Sequence, residues 1–145
     1  MKRMIIAITI GLALCLGTAV LAADAPSDNE QEILVKTTLM TFNDANLTGN
    51  YTVMHARSAR PFRDQLSPEK LADSFKTFRD RKINLASIVA DDIDSAKDPK
   101  INSDGVLQLQ GRFKDDDKKV RYDLKYVYEE GAWKLLGINV KYKED

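Results

Sequence analysis

The sequence predicts an α+β domain in which three N-terminal helices pack on the concave face of a strongly curved, four-stranded antiparallel meander. Three observations carry this expectation. Apolar residues recur at helical spacing from Ile33 to about Arg81. From Leu85 onward they alternate with polar residues, the period of a strand with one buried and one wet face. Turn signals then separate the alternating runs at Asn102–Gly105, Lys114–Lys119 and Glu130-Gly131.

The chain begins with a different pattern. Lys2 and Arg3 precede an uncharged apolar run, Met4 to Leu21, and the small residues of VLAADAP follow. This is the three-part layout of a secretory signal peptide. Cleavage is expected after Ala22, because a cut after Ala25 would place Pro26 at the scissile bond. An uncleaved anchor is the competing reading, since the run approaches the roughly 18–20 residues of a membrane span. The polar stretch ADAPSDNEQE favours removal, so contact with a membrane is expected only through an uncleaved signal.

Cys15 is the one cysteine and lies inside this segment, preceded by Leu14 where a lipoprotein would carry a small residue. The exported chain is therefore expected in the periplasm or outside the cell, without disulfides and without a cysteine-based zinc site. About 123 residues remain after cleavage, enough for a single domain that buries roughly two-thirds of its unfolded surface. Residues 1–22 are read as signal, 23–32 as a flexible leader and 33–145 as the domain.

The first helix is expected over Ile33–Leu47, which contains no Gly or Pro. Leu34, Val35, Leu39, Phe42 and Ala45 share a broad apolar face, widened by Ile33, Met40 and Leu47. Gly49 suits the left-handed position that ends a helix. A shorter helix should cover Tyr51 to about Ala59, interrupted by Arg60-Pro61. Ser67-Pro68-Glu69 is a strong start signal, combining a capping hydroxyl, a preset φ and an acid at the positive end of the dipole. Leu71, Phe75 and Phe78 then form a stripe to about Arg81.

Leu85–Ala90 is apolar and β-branched enough for a strand, continuing irregularly towards Ile101. Val106–Phe113 alternates next, with Gly111 marking a bend. Val120–Glu129 follows, placing Tyr122, Leu124, Tyr126 and Tyr128 on one face. In the last strand, Trp133 and Leu135 have one parity and Ile138, Val140 and Tyr142 the other. One extra residue near Leu135–Gly137 restores consistency, so a bulge is expected there.

This order of elements resembles the nuclear transport factor 2-like superfamily, the cystatin-like α+β cone that includes ketosteroid isomerases, scytalone dehydratases and many exported bacterial proteins. The stretches that carry the resemblance are FNDANLTGNYTVMHA, SPEKLADSFKTF, DGVLQLQGRF and EEGAWKLLGINV. The resemblance implies a conical pocket between helices and sheet and no cofactor. It implies no single reaction, because the fold hosts catalysts and plain binders alike. The isomerases of the superfamily use a carboxylate base with a tyrosine and a protonated aspartic acid. Here Asp123 and Glu129 fall on the parity facing away from the cone, so that base is unmatched.

The pocket lining is expected from Phe42, Tyr122, Leu124, Tyr126, Tyr128 and Trp133, residues that also read as ordinary sheet-on-helix packing. His55, the only histidine, is the one candidate general base or pH switch; its alternative is a half-exposed helix residue bonded to backbone or solvent. Arg57, Arg60 and Arg63 recur every three residues and form either a partner-binding basic ridge or a solvated face paired with Asp64 or Glu69.

The acidic runs Asp91–Asp94 and Asp115–Asp117 lack the spacing of a calcium loop, so no metal site is expected. Asn46-Leu47-Thr48 matches the glycosylation pattern but falls in a helix, and the signal looks bacterial. The chain has 22 basic and 22 acidic residues, a balance that argues against nucleic-acid binding. The outward face would carry Arg112, Arg121, Asp123 and Lys125, whose burial is costly, so a monomer is expected.

These residues point to an exported, cofactor-free, non-catalytic domain. It would hold a small apolar ligand or an envelope protein partner at the mouth of the cone. The alternatives are an isomerase or dehydratase centred on His55, and an interaction protein using the arginine ridge.

Overall fold

Ser27 starts the first helix one turn earlier than the apolar pattern alone predicts. In the computed structural model, which describes residues 23–95, 97–114 and 120–143, helix α1 spans Asp28–Thr48. The Ser27 amide donates to Glu30 Oε2 at 2.8 Å and the Ser27 hydroxyl does so at 2.7 Å, while Ser27 Oγ accepts from the Glu30 amide. This reciprocal box satisfies two amides at the helix start. It also holds the Glu30 carboxyl below its ordinary range. Residues 28–32, expected as leader, are thus helical. The expected signal segment and Asp115–Lys119 lie outside the described residues.

Among the described residues, five α-helices stand where three helices were expected. Helix α2 is Thr52–Arg57 and α3 is Arg60–Gln65. Pro61 does interrupt the second helix, but its preset φ also begins another. The expected helix from Ser67 divides into α4, Pro68–Ser74, and α5, Lys76–Asp80. The break is at Phe75, whose ring lies 4.8 Å from Phe42, edge to face, and 6.2 Å from Tyr51, stacked.

Leu85–Ala90, expected as a strand, is instead a 3₁₀ turn over Ala86–Ala90. Two asparagines divert its backbone. Asn84 Oδ1 accepts from the Ala86 amide at 2.9 Å, and buried Asn43 of α1 accepts from the Leu85 amide at 2.7 Å. Local side-chain bonds of this kind compete with a sheet ladder. Leu85 and Ile88 still reach the core.

The sheet is antiparallel, with strands β1 (Ile93–Ser95), β2 (Lys100–Ile101), β3 (Val106–Phe113), β4 (Arg121–Glu129) and β5 (Ala132–Lys141). Its order is β1-β3-β4-β5, and β2 also pairs with β3. Among the described residues, five strands stand where four were expected because one edge is broken in two. Ser95 pairs with Gly111 and Lys100 with Gln108, so the edge spends two more residues than β3 over that span. Pro99 lies in the excess and has no N–H for a ladder.

The bulge is where parity placed it. Lys125 pairs with Gly137 and Tyr126 with Leu135, leaving Leu136 as the extra residue of β5. The turn before it holds Glu130 and Gly131 at φ 52° and 79°, the two left-handed positions of a tight hairpin. Gly111 marks no register shift; β3 and β4 pair straight through it. Its role is space, since a Cβ there would collide with the Tyr122 hydroxyl and with the Asp94 carbonyl at 2.7 Å.

Helices cover one sheet face. Leu107, Leu109, Phe113, Leu124 and Tyr126 are buried with Val35, Leu39, Phe42 and Leu71 in one core. Ile33 and Leu47 are 55% and 52% exposed, so the buried stripe of α1 is narrower than the sequence implies. Among the described residues, no helix is long and apolar enough to cross a membrane.

Candidate functional site

Leu34, Thr37, Thr38 and Thr41 stand at i, i+3, i+4 and i+7, which aligns them on one face of α1. Opposite them are Tyr126 of β4 and Trp133 and Leu135 of β5, with Met54 and Arg57 of α2 and Ser58 at its C-terminal end closing the side. Together they enclose a pocket of about 80 Å³.

Its polar groups are ordered. Thr38 Oγ1 and the Tyr126 hydroxyl meet at 2.9 Å, and that hydroxyl also donates to the Leu34 carbonyl at 3.3 Å. Burial pushes the Tyr126 pKa well above its ordinary value, although the Thr38 bond opposes this. The phenol therefore stays protonated at neutral pH. Arg57 Nη1 donates to Thr41 Oγ1 at 3.2 Å, and Thr41 passes its own hydrogen to the Thr37 carbonyl at 2.9 Å. One guanidinium N–H is thereby fixed, and Arg57 has further donors in the same plane. The lining contains neither a carboxylate nor an imidazole.

Of the six residues expected to line a pocket, Tyr126 and Trp133 do so here. Phe42 and Leu124 do not; both are completely buried in the core, where packing leaves them no open surface. Tyr128 is half exposed at the rim, its ring edge-to-face with Trp133 at 5.4 Å. These two aromatics line an adjoining trough with residues 23–26, so Trp133 is a wall common to both hollows. Tyr122 sits at the far end of β4, facing a separate hollow with Glu32, Ile93 and Gln110. Burial pushes its pKa up to about 12.

His55 is part-buried away from this lining, its Nε2 donating to the Arg63 carbonyl at 3.2 Å. The three arginines have separate tasks. Arg57 enters the pocket, Arg60 faces Asp64 at 3.7 Å, and Arg63 donates through Nη1 to the Ser58 carbonyl. Sequence reasoning missed the threonines of α1, and grouped Arg57 with Arg60 and Arg63 on a ridge where the structure turns it into the pocket. The one available signal for the threonines was their spacing: Thr37, Thr38 and Thr41 share a helix face while having low helix propensity, which alone does not assign that face to a pocket. No group of His, Cys, Asp or Glu suited to hold a metal occurs among the described residues.

Comparison with protein-family models, curated proteins and solved structures finds no match for this chain.

Proposed function

We propose that this chain is an exported, non-catalytic binding domain. It receives a small apolar group bearing a carboxylate, presented by a partner protein, in the pocket between α1, α2 and the β4–β5 hairpin. The observation that carries this reading is the lining itself. Leu34, Met54, Trp133 and Leu135 supply apolar walls, while Arg57 and the threonine hydroxyls converge from one side without a competing acid.

Size selects the partner version over a free apolar ligand. Pockets for drug-sized molecules measure roughly 300–1,000 Å³, and this one holds about 80 Å³. That is room for an anchoring side chain or chain end, with the rest of the partner lying across Trp133 and Tyr128. The binding reading is also favoured over isomerase or dehydratase chemistry. The protonated Tyr126 is a donor, but no base stands within the lining, and His55 is engaged with the backbone of α3.

In this proposal the fold is a nuclear transport factor 2-like cone with a strongly curved sheet. The helix-then-sheet order, the helices on one face and the bulge at Leu136 support it. The arrangement Lys2-Arg3, apolar run and VLAADAP supports export.

The test is native mass spectrometry of the protein purified gently from its own envelope, beside a Thr37→Phe variant that fills the pocket. A partner retained by the native protein and lost from the variant is the expected result. Equal retention by both would place the binding elsewhere.

A further inference from the structure

At the opposite end of β4 from Trp133, three cations stand in a row across the outer face of the sheet. Arg112 pairs directly with Arg121, and Arg121 pairs directly with Lys141. Residues directly opposed in a ladder point to the same side, their Cα atoms about 4.5–5.5 Å apart. All three side chains are exposed. Like charges placed directly opposite each other destabilise a sheet; Asp94 offsets this at Arg112, which leaves Arg121 and Lys141 as the opposed cation pair.

Among the described residues, the acids nearest the row are engaged. Asp94 Oδ2 accepts from Arg112 Nε at 2.8 Å, and Asp123 accepts from Gln108 and Gln110 at 2.9 and 2.7 Å. Among the described residues, Arg121 and Lys141 have no carboxylate partner. The same end opens a groove of about 590 Å³ between α5 and the end of β5, where Phe78, Ile83, Val140 and Tyr142 line it together with Arg121 and Lys141. Cationic residues and apolar surface are therefore adjacent there.

We propose that the Arg112–Arg121–Lys141 row is a binding site for a phosphate group, either free or as the headgroup of an anionic lipid. Guanidinium groups bind phosphate oxygens through paired N–H donors, and the ammonium adds a mobile third charge. A bound phosphate converts the repulsion between Arg121 and Lys141 into shared attraction, with Arg112 at the end of the row. A lipid source would also place apolar stem against Phe78 and Val140.

The experiment compares the native protein with Arg121→Gln by thermal unfolding, first in phosphate-free buffer. Inorganic phosphate and pyrophosphate are then titrated, with sodium chloride at matched ionic strength as control. Removing the central charge should raise Tm by about 1–3 °C in phosphate-free buffer and abolish the saturable phosphate-dependent rise of the native protein. Co-sedimentation with phosphatidylglycerol or phosphatidylcholine vesicles separates the sources. Binding to phosphatidylglycerol vesicles without a response to free phosphate assigns a lipid headgroup, and the reverse assigns a free anion. Three results would overturn the site: a lower Tm for Arg121→Gln, which reveals an internal carboxylate partner; a rise that chloride reproduces, which is screening; or no response to either probe.

Discussion

The Tyr126 hydroxyl and Thr38 Oγ1 meet at 2.9 Å, joining β4 to the middle of α1 across 88 residues of chain. This contact, with the bond to the Leu34 carbonyl, forms the polar part of the pocket next to Trp133. Tyr126→Phe removes both bonds while keeping the ring. It should cost about 1–2 kcal/mol, read as a lower urea midpoint with an unchanged m value. A loss below about 0.3 kcal/mol would mean that the hydroxyl is not holding helix to sheet.

Alkali should unfold the protein through its buried phenols. Burial raises the Tyr122 pKa from 10.0 to about 12 and moves Tyr126 in the same direction. The folded state thus keeps its phenolic protons where the unfolded chain releases them. The stabilisation is fully present below pH 10 and is lost as pH rises through the folded values. Tm measured from pH 8 to 11.5 should fall above about pH 10, and Tyr122→Phe should make that fall shallower. An unchanged slope in the variant would remove Tyr122 from the account.

Asn43 is 2% exposed and accepts the Leu85 amide at 2.7 Å. Asn43→Ala leaves that buried N–H without its partner and opens space beside α1. A loss of about 2–3 kcal/mol is expected, measured by urea unfolding. Hydrogen exchange at Leu85 should accelerate along with it. If exchange there is unchanged, the asparagine is not what turns the chain at this point.

Gly111→Ala should destabilise by about 1–3 kcal/mol, because the new methyl meets the Tyr122 ring and hydroxyl and the Asp94 carbonyl. Adding Tyr122→Phe removes the nearest atom and should recover part of the loss. An alanine variant as stable as the native protein would show that the edge strand gives way freely.

Much of this architecture was legible because hydrophobic parity is a strict constraint. The switch between Leu135 and Ile138 located the Leu136 bulge, since a pleated strand cannot bury both without an extra residue. Parity also gave the two faces of β4. Short apolar runs were less legible. ASIVA fits a strand by composition, yet bonds from Asn43 and Asn84, one of them 42 residues away, turn it into a 3₁₀ helix. The break at Phe75 likewise depends on packing with Phe42 and Tyr51, which no local pattern records. In the pocket, strand alternation put Tyr126 and Trp133 on the right face but grouped Tyr122, Leu124 and Tyr128 with them, which the lining does not include. The threonines were not legible, because polar residues on an apolar stripe have no meaning until Tyr126 is known to face them.

Trp133 is the only tryptophan of the chain and a wall of the pocket, so its emission reports occupancy directly. The decisive measurement is a fluorescence titration with a short peptide ending in Ala-Val with a free carboxylate, set against the same peptide amidated. A saturable emission shift is expected with the free acid. Binding should weaken about tenfold or more for the amide and for Arg57→Gln, and no shift should occur with Thr37→Phe. No saturable response to the free acid, or equal responses from native protein and both variants, would contradict the pocket as the binding site.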